Sequence, residues 1–254
     1  MSKIANAFKN GKAFIGFVTG GDPSLTKTEE FVLKMAQSGA DLIEIGVPFS
    51  DPIAEGPVIQ RANLRALAAG TTMNKIFETV AKIREKTEVP LVLLTYLNPV
   101  FHYGYADFFE RCQQVGVDGV IIPDLPYEER AEVKSRSGEV DIISLIAPTS
   151  DARIAQIAQN ASGFLYIVSS LGVTGVRSEI KTDIKELFAA VRRETGLPAA
   201  VGFGIHTPEQ AGEIARIADG VIVGSAIVKL IEEYGETAGP HIEEYVREMK
   251  AAIG

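Results

Sequence analysis

The chain has 254 residues, of which 46% are hydrophobic and 23% are charged, and this composition excludes an intrinsically disordered protein. A chain of this length suits one large domain or two small ones. Its 33 acidic and 25 basic residues give a formal net charge of −8, which argues against nucleic acid or an anionic membrane as a partner, because both require a basic face.

The predicted elements alternate along the chain between short apolar runs and segments of helical period. The apolar runs are mostly continuous in Val, Ile and Leu, which is typical of strands covered on both faces in a parallel sheet. There are eight runs: Ala13–Thr19, Leu42–Val47, Leu91–Thr95, Val120–Ile122, Ile142–Ala147, Phe164–Ser169, Ala199–Val201 and Val221–Val223. Helical periodicity is present in Thr28–Ser38, Tyr105–Gln114, Asp151–Asn160, Asp183–Glu194 and Pro208–Ile217. Ser150 and Asp151 form the predicted cap of the third of these helices, and Thr207 caps the fifth.

The order of these elements predicts the architecture. Strand, loop and helix recur about every 32 residues, close to the ~30 residues of a βαβ unit. Eight units favour a (β/α)8 TIM barrel with extra helices over an open doubly wound sheet, which usually has fewer strands. No linker or charge run divides the chain, so we expect a single domain over residues 1–254. The connections after the second and sixth runs are long, and in a barrel such loops carry the active site.

Carboxylates mark the second strand and its loop. Glu44 interrupts the apolar run, and a charged, unpaired carboxylate there is costly whether it points into the barrel or into the helix layer. Desolvation would raise its pKa and make it a general acid near neutral pH. A structural glutamate tied to the backbone or to a lysine is an equally open interpretation. In the loop, Glu55 is a candidate second carboxylate on a path fixed by prolines, whereas Asp51 before Pro52 fits turn chemistry.

Glycines mark the ends of the last two strands. The seventh run is followed by Gly202 and Gly204, and the eighth by Gly224, with a helix predicted to begin near Ser225. Loops after strands seven and eight commonly bind phosphate in this fold, because glycines let backbone N–H groups approach the anion and a helix N-terminus adds its dipole. A simple turn is the alternative for a lone Gly-x-Gly. The loop over residues 169–178 is either a mobile lid or an ordinary surface loop.

Several other kinds of chemistry and location are disfavoured. The eight runs contain no lysine, which argues against a Schiff-base mechanism, and His102, His206 and His241 lack metal-ligand spacing, so we expect no metal. Cys112 lies in a helical segment and is predicted to be a packed thiol; as the single cysteine it indicates a reducing, cytoplasmic compartment. The start of the chain does not read as a signal peptide, and no stretch approaches the ~18 apolar residues of a membrane helix.

The segment Leu42–Gln60, with the sequence LIEIGVPFSDPIAEGPVIQ, resembles the signature of the tryptophan synthase alpha subunit family. The resemblance extends over nearly the whole chain. It includes the segments Phe17–Pro23, Tyr96–Pro99, Gly116–Gly119, Pro123–Pro126, Leu171–Gly175, Gly202–Ile205 and Gly224–Val228.

The resemblance implies an activity and a partner. The activity is cleavage of indole-3-glycerol phosphate to indole and glyceraldehyde 3-phosphate, a retro-aldol lyase reaction by general acid and base catalysis without metal or organic cofactor. The partner is a pyridoxal-phosphate-dependent beta subunit in an α2β2 complex, with an indole channel and mutual activation. Two alternatives stay open: a phosphosugar isomerase or epimerase on the same barrel, and a subunit that mainly activates its partner with weak catalysis of its own.

The resemblance also implies roles for individual residues. Glu44 matches the catalytic glutamate that protonates the indole carbon, and Tyr166 matches a tyrosine near it. Glu55 stands where the family commonly has an aspartate that accepts a hydrogen bond from the indole N–H, so its carboxylate lies one methylene further from the backbone. Thr174 matches the lid threonine. The matches to the indole pocket are Phe17, Leu94, Tyr96 and Ile121. The matches to the phosphate site are Gly175, Gly202, Phe203, Gly204, Gly224 and Ser225.

Overall fold

The computed structural model describes residues 3–147, 150, 153–168, 177–202 and 204–254, with backbone alone for 177–183. Its parallel strands form a closed barrel in chain order, in which the last strand pairs with the first. The strands are β1 Ala13–Thr19, β2 Leu42–Gly46, β3 Leu91–Leu94, β4 Gly119–Ile121, β5 Asp141–Ile146, β6 Leu165–Val168, β7 Ala199–Gly202 and β8 Gly220–Val223. Each of the eight predicted runs contains or overlaps one strand, and the predicted (β/α)8 barrel is confirmed.

Helices surround the barrel, and β2, β3 and β8 are each followed by two of them, which confirms the extra helices. In the described ranges the α-helices are α1 Leu25–Gln37, α2 Pro57–Ala68, α3 Met73–Arg84, α4 Leu97–Tyr103, α5 Tyr105–Val115, α6 Arg130–Lys134, α7 Ile154–Gln159, α8 Arg177–Glu194, α9 Pro208–Ala215, α10 Ser225–Tyr234 and α11 Gly239–Ile253. Short 3-10 helices cover Lys3–Phe8, Tyr127–Glu129 and Gly235–Thr237. No helix among these is long and apolar enough to cross a membrane.

One of the two predicted helix caps is confirmed. Thr207 caps α9 in a capping box with Gln210, as its hydroxyl and the following proline indicated. The prediction of Ser150 as the cap of α7 is wrong: this helix begins at Ile154, and the Ser150 hydroxyl instead accepts a hydrogen bond from the backbone N–H of Ala147 at 3.2 Å. The hydroxyl therefore stabilises the turn that ends β5, and Asp151 lies outside the described residues.

The interior of the barrel is apolar at its N-terminal end. Alternate strand residues face inward, and Ile15, Leu42, Val92 and Phe164 belong to one buried cluster. The 3-10 helix Lys3–Phe8 closes this end, since Ile4 and Phe8 pack into the same cluster. A second, larger cluster joins the outward faces of the strands to the helices and holds Cys112, a buried thiol as predicted. Polar side chains in the interior therefore concentrate toward the C-terminal end of the barrel.

Candidate active site

Glu44 lies inside the barrel. On β2 it is in register with Phe17 of β1 and Val92 of β3, it follows the inward-facing Leu42 by two residues, and it is 1% exposed. Its Oε1 atom is buried without a hydrogen-bond partner among the described residues. Burial raises the pKa of Glu44 to about 8, because low polarity disfavours the charged carboxylate. At neutral pH the side chain is therefore mostly protonated, and among the described residues no backbone group or lysine bonds its Oε1 atom.

Tyr166 faces the same interior from β6. Its phenol is buried, and the pKa of the hydroxyl is raised well above its ordinary value, first by burial and then by the negative charge of Glu44. The two groups are thus close enough to interact electrostatically across the barrel. Because the phenol stays protonated, it can donate or accept a hydrogen bond but cannot act as a base near neutral pH.

Glu55 is held at the mouth of the barrel by Asn63 and lies near Tyr96. Asn63, a buried residue of α2, donates from Nδ2 to Oε2 of Glu55 at 2.6 Å. The Tyr96 hydroxyl, which accepts a bond from the backbone N–H of Ala54 at 3.1 Å, is close enough to the Glu55 carboxylate to affect its charge. Partial burial raises the pKa of Glu55, and the neighbouring Asn63 amide and Tyr96 hydroxyl oppose that rise. The longer side chain is thus positioned by the bond from Asn63.

Helix α2 forms one wall above these carboxylates. Its Val58, Ile59 and Ala62 cluster with Phe17 of β1 and Val228 of α10. Arg65 of α2 also holds the buried Asp22 with two bonds of 2.8 Å. The helix is therefore fixed both to the loop after β1 and to α10, which keeps Asn63 in place beside Glu55.

The apolar walls of the site are formed by alternate strand residues, whose side chains face the barrel interior. Of the predicted indole-pocket residues, three face inward in the clusters at this end: Phe17, Leu94 and Ile121. Tyr96 lies just after β3, and the centroid of its ring is 5.4 Å from the ring centroid of Phe49. The sequence interpretation missed Leu145 and Val168, which pack against the interior cluster. Each is two positions beyond an inward residue of its own strand, and that spacing was the available signal.

Two acidic side chains in the loops after β1 and β2 are already bonded to other residues. Asp51 is exposed and accepts a 2.5 Å hydrogen bond from its neighbour Ser50, and Asp22 is paired with Arg65. Within the described ranges no three His, Cys, Asp or Glu side chains lie together in a way that could hold a metal ion.

Three of the residues predicted to bind phosphate, Gly204, Gly224 and Ser225, lie at the ends of β7 and β8. Helix α10 begins at Ser225 directly after Gly224, and no side chain of the described residues caps it. Its first N–H groups have no acceptor within the helix and lie where a phosphate would be expected. Gly204 has a φ of +76°, a conformation that favours glycine. Two other predicted members, Phe203 and Gly175, and the predicted lid residue Thr174 lie outside the described residues.

Gly202 has a packing role that the sequence did not indicate. A Cβ atom at this position would lie 2.4 Å from the Tyr166 hydroxyl, a distance that neither group can accept. We expect Gly202→Ala to displace the phenol, to lower the free energy of unfolding by ~1–3 kcal/mol and to slow turnover. The measurements are denaturant unfolding and steady-state kinetics. Gly196→Ala is the matched control, because nothing lies within 4 Å of its added Cβ; equal behaviour of the two variants would contradict the packing role.

The sequence profile of the family described as tryptophan synthase alpha chain matches residues 4–254. The chain belongs to this family. It is therefore a carbon–carbon lyase of tryptophan biosynthesis that cleaves indole-3-glycerol phosphate. Over its full length it is 52% identical to the tryptophan synthase alpha chain of Lactiplantibacillus plantarum, of which it covers 97%.

Solved structures agree with this assignment. The chain superposes on the tryptophan synthase subunit alpha of Legionella pneumophila with a TM-score of 0.91 and 36% identity, covering 100% of this chain and 98% of that one. It also resembles a chain in the tryptophan synthase complex of Pyrococcus furiosus, with a TM-score of 0.85, 33% identity and coverage of 95% and 99%. The family membership thus rests on sequence and on fold together.

Proposed function

We propose that Glu44 and Glu55 share the acid and base work of indole-3-glycerol phosphate cleavage in this chain. The observation that carries the proposal is the burial of the Glu44 carboxyl, whose Oε1 atom has no hydrogen-bond partner among the described residues and whose pKa burial raises to about 8. A neutral acid in such a place delivers a proton to a weakly basic ring carbon far more readily than a solvated carboxylate does.

In the proposed sequence Glu44 carries out the proton transfers and Glu55 stabilises the positive charge that forms between them. Glu44 donates its proton to the indole carbon that carries the glycerol chain, and the ring becomes a cationic indolenine. Glu55 accepts a hydrogen bond from the ring N–H and stabilises the charge that develops there. The carbon–carbon bond then breaks as the neighbouring glycerol hydroxyl loses its proton. Glu44, now ionised, takes that proton and returns to its starting state, while Tyr166 supplies a neutral hydroxyl beside it.

The indole end of the substrate is apolar and the phosphate end is anionic, so each end is assigned to a different part of the site. The flat indole fits between apolar side chains, in particular Phe17, Leu94 and Ile121, with Leu145 and Val168 added from the structure. The phosphate is placed at the N-terminus of α10 with Gly202, Gly204 and Ser225. Backbone N–H groups and a helix dipole suffice for this anion, so the net charge of −8 does not oppose it. Binding energy at the phosphate then orients the reacting bond.

A beta subunit is the proposed partner, in an α2β2 complex. The similar chain from Pyrococcus furiosus belongs to a tryptophan synthase complex. In the chain described here two large apolar side chains stand exposed near the mouth of the barrel, Ile53 by 78% and Phe101 by 69%, and exposed apolar groups of this kind are typical of interfaces. The same proposal places the chain in the cytoplasm, where its cysteine stays reduced.

An assay of indole release with and without a tryptophan synthase beta subunit tests this function and its alternatives. We expect indole from the chain alone and a faster release with the partner. We also expect Phe101→Ser to weaken the stimulation, whereas Leu64→Ser, which alters another exposed side chain, leaves it intact. Failure to release indole under both conditions would contradict the acid and base roles proposed for Glu44 and Glu55. A Glu44→Gln chain that releases no indole yet still activates the beta reaction would show that activation and catalysis are separate.

A further inference from the structure

A cavity opens on the outer surface of the barrel, between the paired strands β4 and β5 and the segment that follows β4. Its volume is about 190 Å³, and its walls include Ile122, Leu125, Ile142 and Ile157. A protein cavity of ~150 Å³ with apolar walls is large enough for benzene. The space therefore suits a small organic molecule with an apolar or aromatic body.

One cationic side chain is buried in this cavity. Arg130 lines it and is 7% exposed. Its two terminal nitrogens donate to neutral acceptors, the Ser144 hydroxyl and the Ile142 carbonyl. Its Nε atom is buried and has no hydrogen-bond partner in the part of the chain that the structure describes. The charged guanidinium is thus buried and one of its N–H donors is unused. This arrangement is costly unless an anion binds the guanidinium.

The acids near Arg130 do not complete it. Asp141 is near enough to affect Arg130 electrostatically, but the Oδ2 atom of Asp141 is buried without a hydrogen-bond partner among the described residues, and Asp141 is not part of the cavity wall. Glu128 forms a 3.3 Å ion pair with Arg153, a second cationic side chain on the cavity wall, and both side chains are at least half exposed. Neither carboxylate therefore forms a hydrogen bond with the guanidinium in the described structure.

We propose that this cavity is a binding site for a small organic carboxylate, whose anionic group bonds Arg130 and whose apolar body packs on the aliphatic walls. A single carboxylate matches one guanidinium with a free donor, and the aliphatic walls beside it can pack against an apolar body that an inorganic anion lacks. The arginine end of this site lies outside the barrel beside β5, away from Glu44 and the loop after β2 around which the cleavage site proposed above is built. The two sites meet at Leu145, which lines the cavity and packs against the interior cluster.

The chain offers a clean reporter for this site because it contains no tryptophan. Tyr127 lines the cavity, so Tyr127→Trp places a single indole fluorophore there. Titration of this variant with benzoate should give a saturable change in emission, and benzyl alcohol, a neutral molecule of similar shape, should give a much weaker one. Adding Arg130→Met should weaken benzoate binding at least about tenfold, the usual effect of losing a bond to a charged group.

Two further variants guard against a trivial result. Arg136→Met removes an exposed arginine nearby and should leave the benzoate midpoint unchanged. If Arg130→Met fails to fold, Ile157→Phe fills the cavity while keeping the guanidinium, and it should abolish the response. The proposal is overturned if Tyr127→Trp shows no saturable change, if benzoate and benzyl alcohol act alike, or if both the arginine and the cavity-filling variants keep the original midpoint.

Discussion

Glu44→Gln is expected to lose ~10²–10⁴-fold in the rate of indole release, the usual contribution of a positioned general acid, while a phosphate ligand such as glycerol 3-phosphate still binds. The amide preserves the shape of the side chain but has no proton to give to the indole carbon. The phosphate end is unaffected, because the N-terminus of α10 is built from a different part of the barrel.

The measurement is single-turnover indole release, combined with calorimetric titration of the phosphate ligand. Indole fluorescence can be followed directly, since the chain has no tryptophan of its own. Glu88→Gln is the matched control: it makes the same substitution at a side chain that is 82% exposed and should leave the rate unchanged within about twofold. A Glu44→Gln variant with near-full activity would remove this residue from the mechanism.

Glu55→Ala should slow turnover by ~10²-fold or more, because the ring N–H then loses its acceptor as positive charge develops. Glu55→Asp should keep part of the activity. The shorter side chain retains the carboxylate but cannot keep the 2.6 Å bond from Asn63 without movement of the loop. The comparison is made on kcat, since the interaction strengthens in the transition state.

Asn63→Ala separates position from charge at this site. It leaves the Glu55 carboxylate in place but removes the amide that holds it, so we expect a smaller loss than in Glu55→Ala. The loss should be accompanied by a rise in the pKa of Glu55, because the bond from Asn63 lowers it. Full activity of Glu55→Asp would show that the extra methylene does not matter, and full activity of Glu55→Ala would remove the carboxylate from the mechanism.

The barrel was predictable because its signal is periodic and repeated. Eight continuous apolar runs fix the number of strands, and the inward parity of Glu44 follows from Leu42 once the strand is known. The cap at Thr207 was likewise predictable, since its hydroxyl comes directly before Pro208 at the first helical position. Ser150 failed as a cap because a hydroxyl can serve either a helix or a turn, and the choice depends on where β5 ends.

The parts of the site that depend on distant contacts were not predictable. Nothing local to Glu55 shows that Asn63 holds it or that Tyr96 lies near it, because the three residues come from different elements. Gly202 offered a phosphate interpretation by its position, but its contact with Tyr166 requires β6 and β7 to be adjacent and in known register. The roles of Thr174, Gly175 and Phe203 stay predictions, as does the catalytic assignment of the carboxylates.

The pH dependence of kcat/KM for indole release tests the central claim, that Glu44 acts as a buried, protonated acid. Burial raises the pKa of this group to about 8, so the active form is the protonated one and it persists through neutral pH. With saturating beta subunit, kcat/KM should be level near pH 7 and fall about tenfold per pH unit well above pH 8. A profile that stays level or rises from about pH 7 to about pH 9.5 would contradict the assignment.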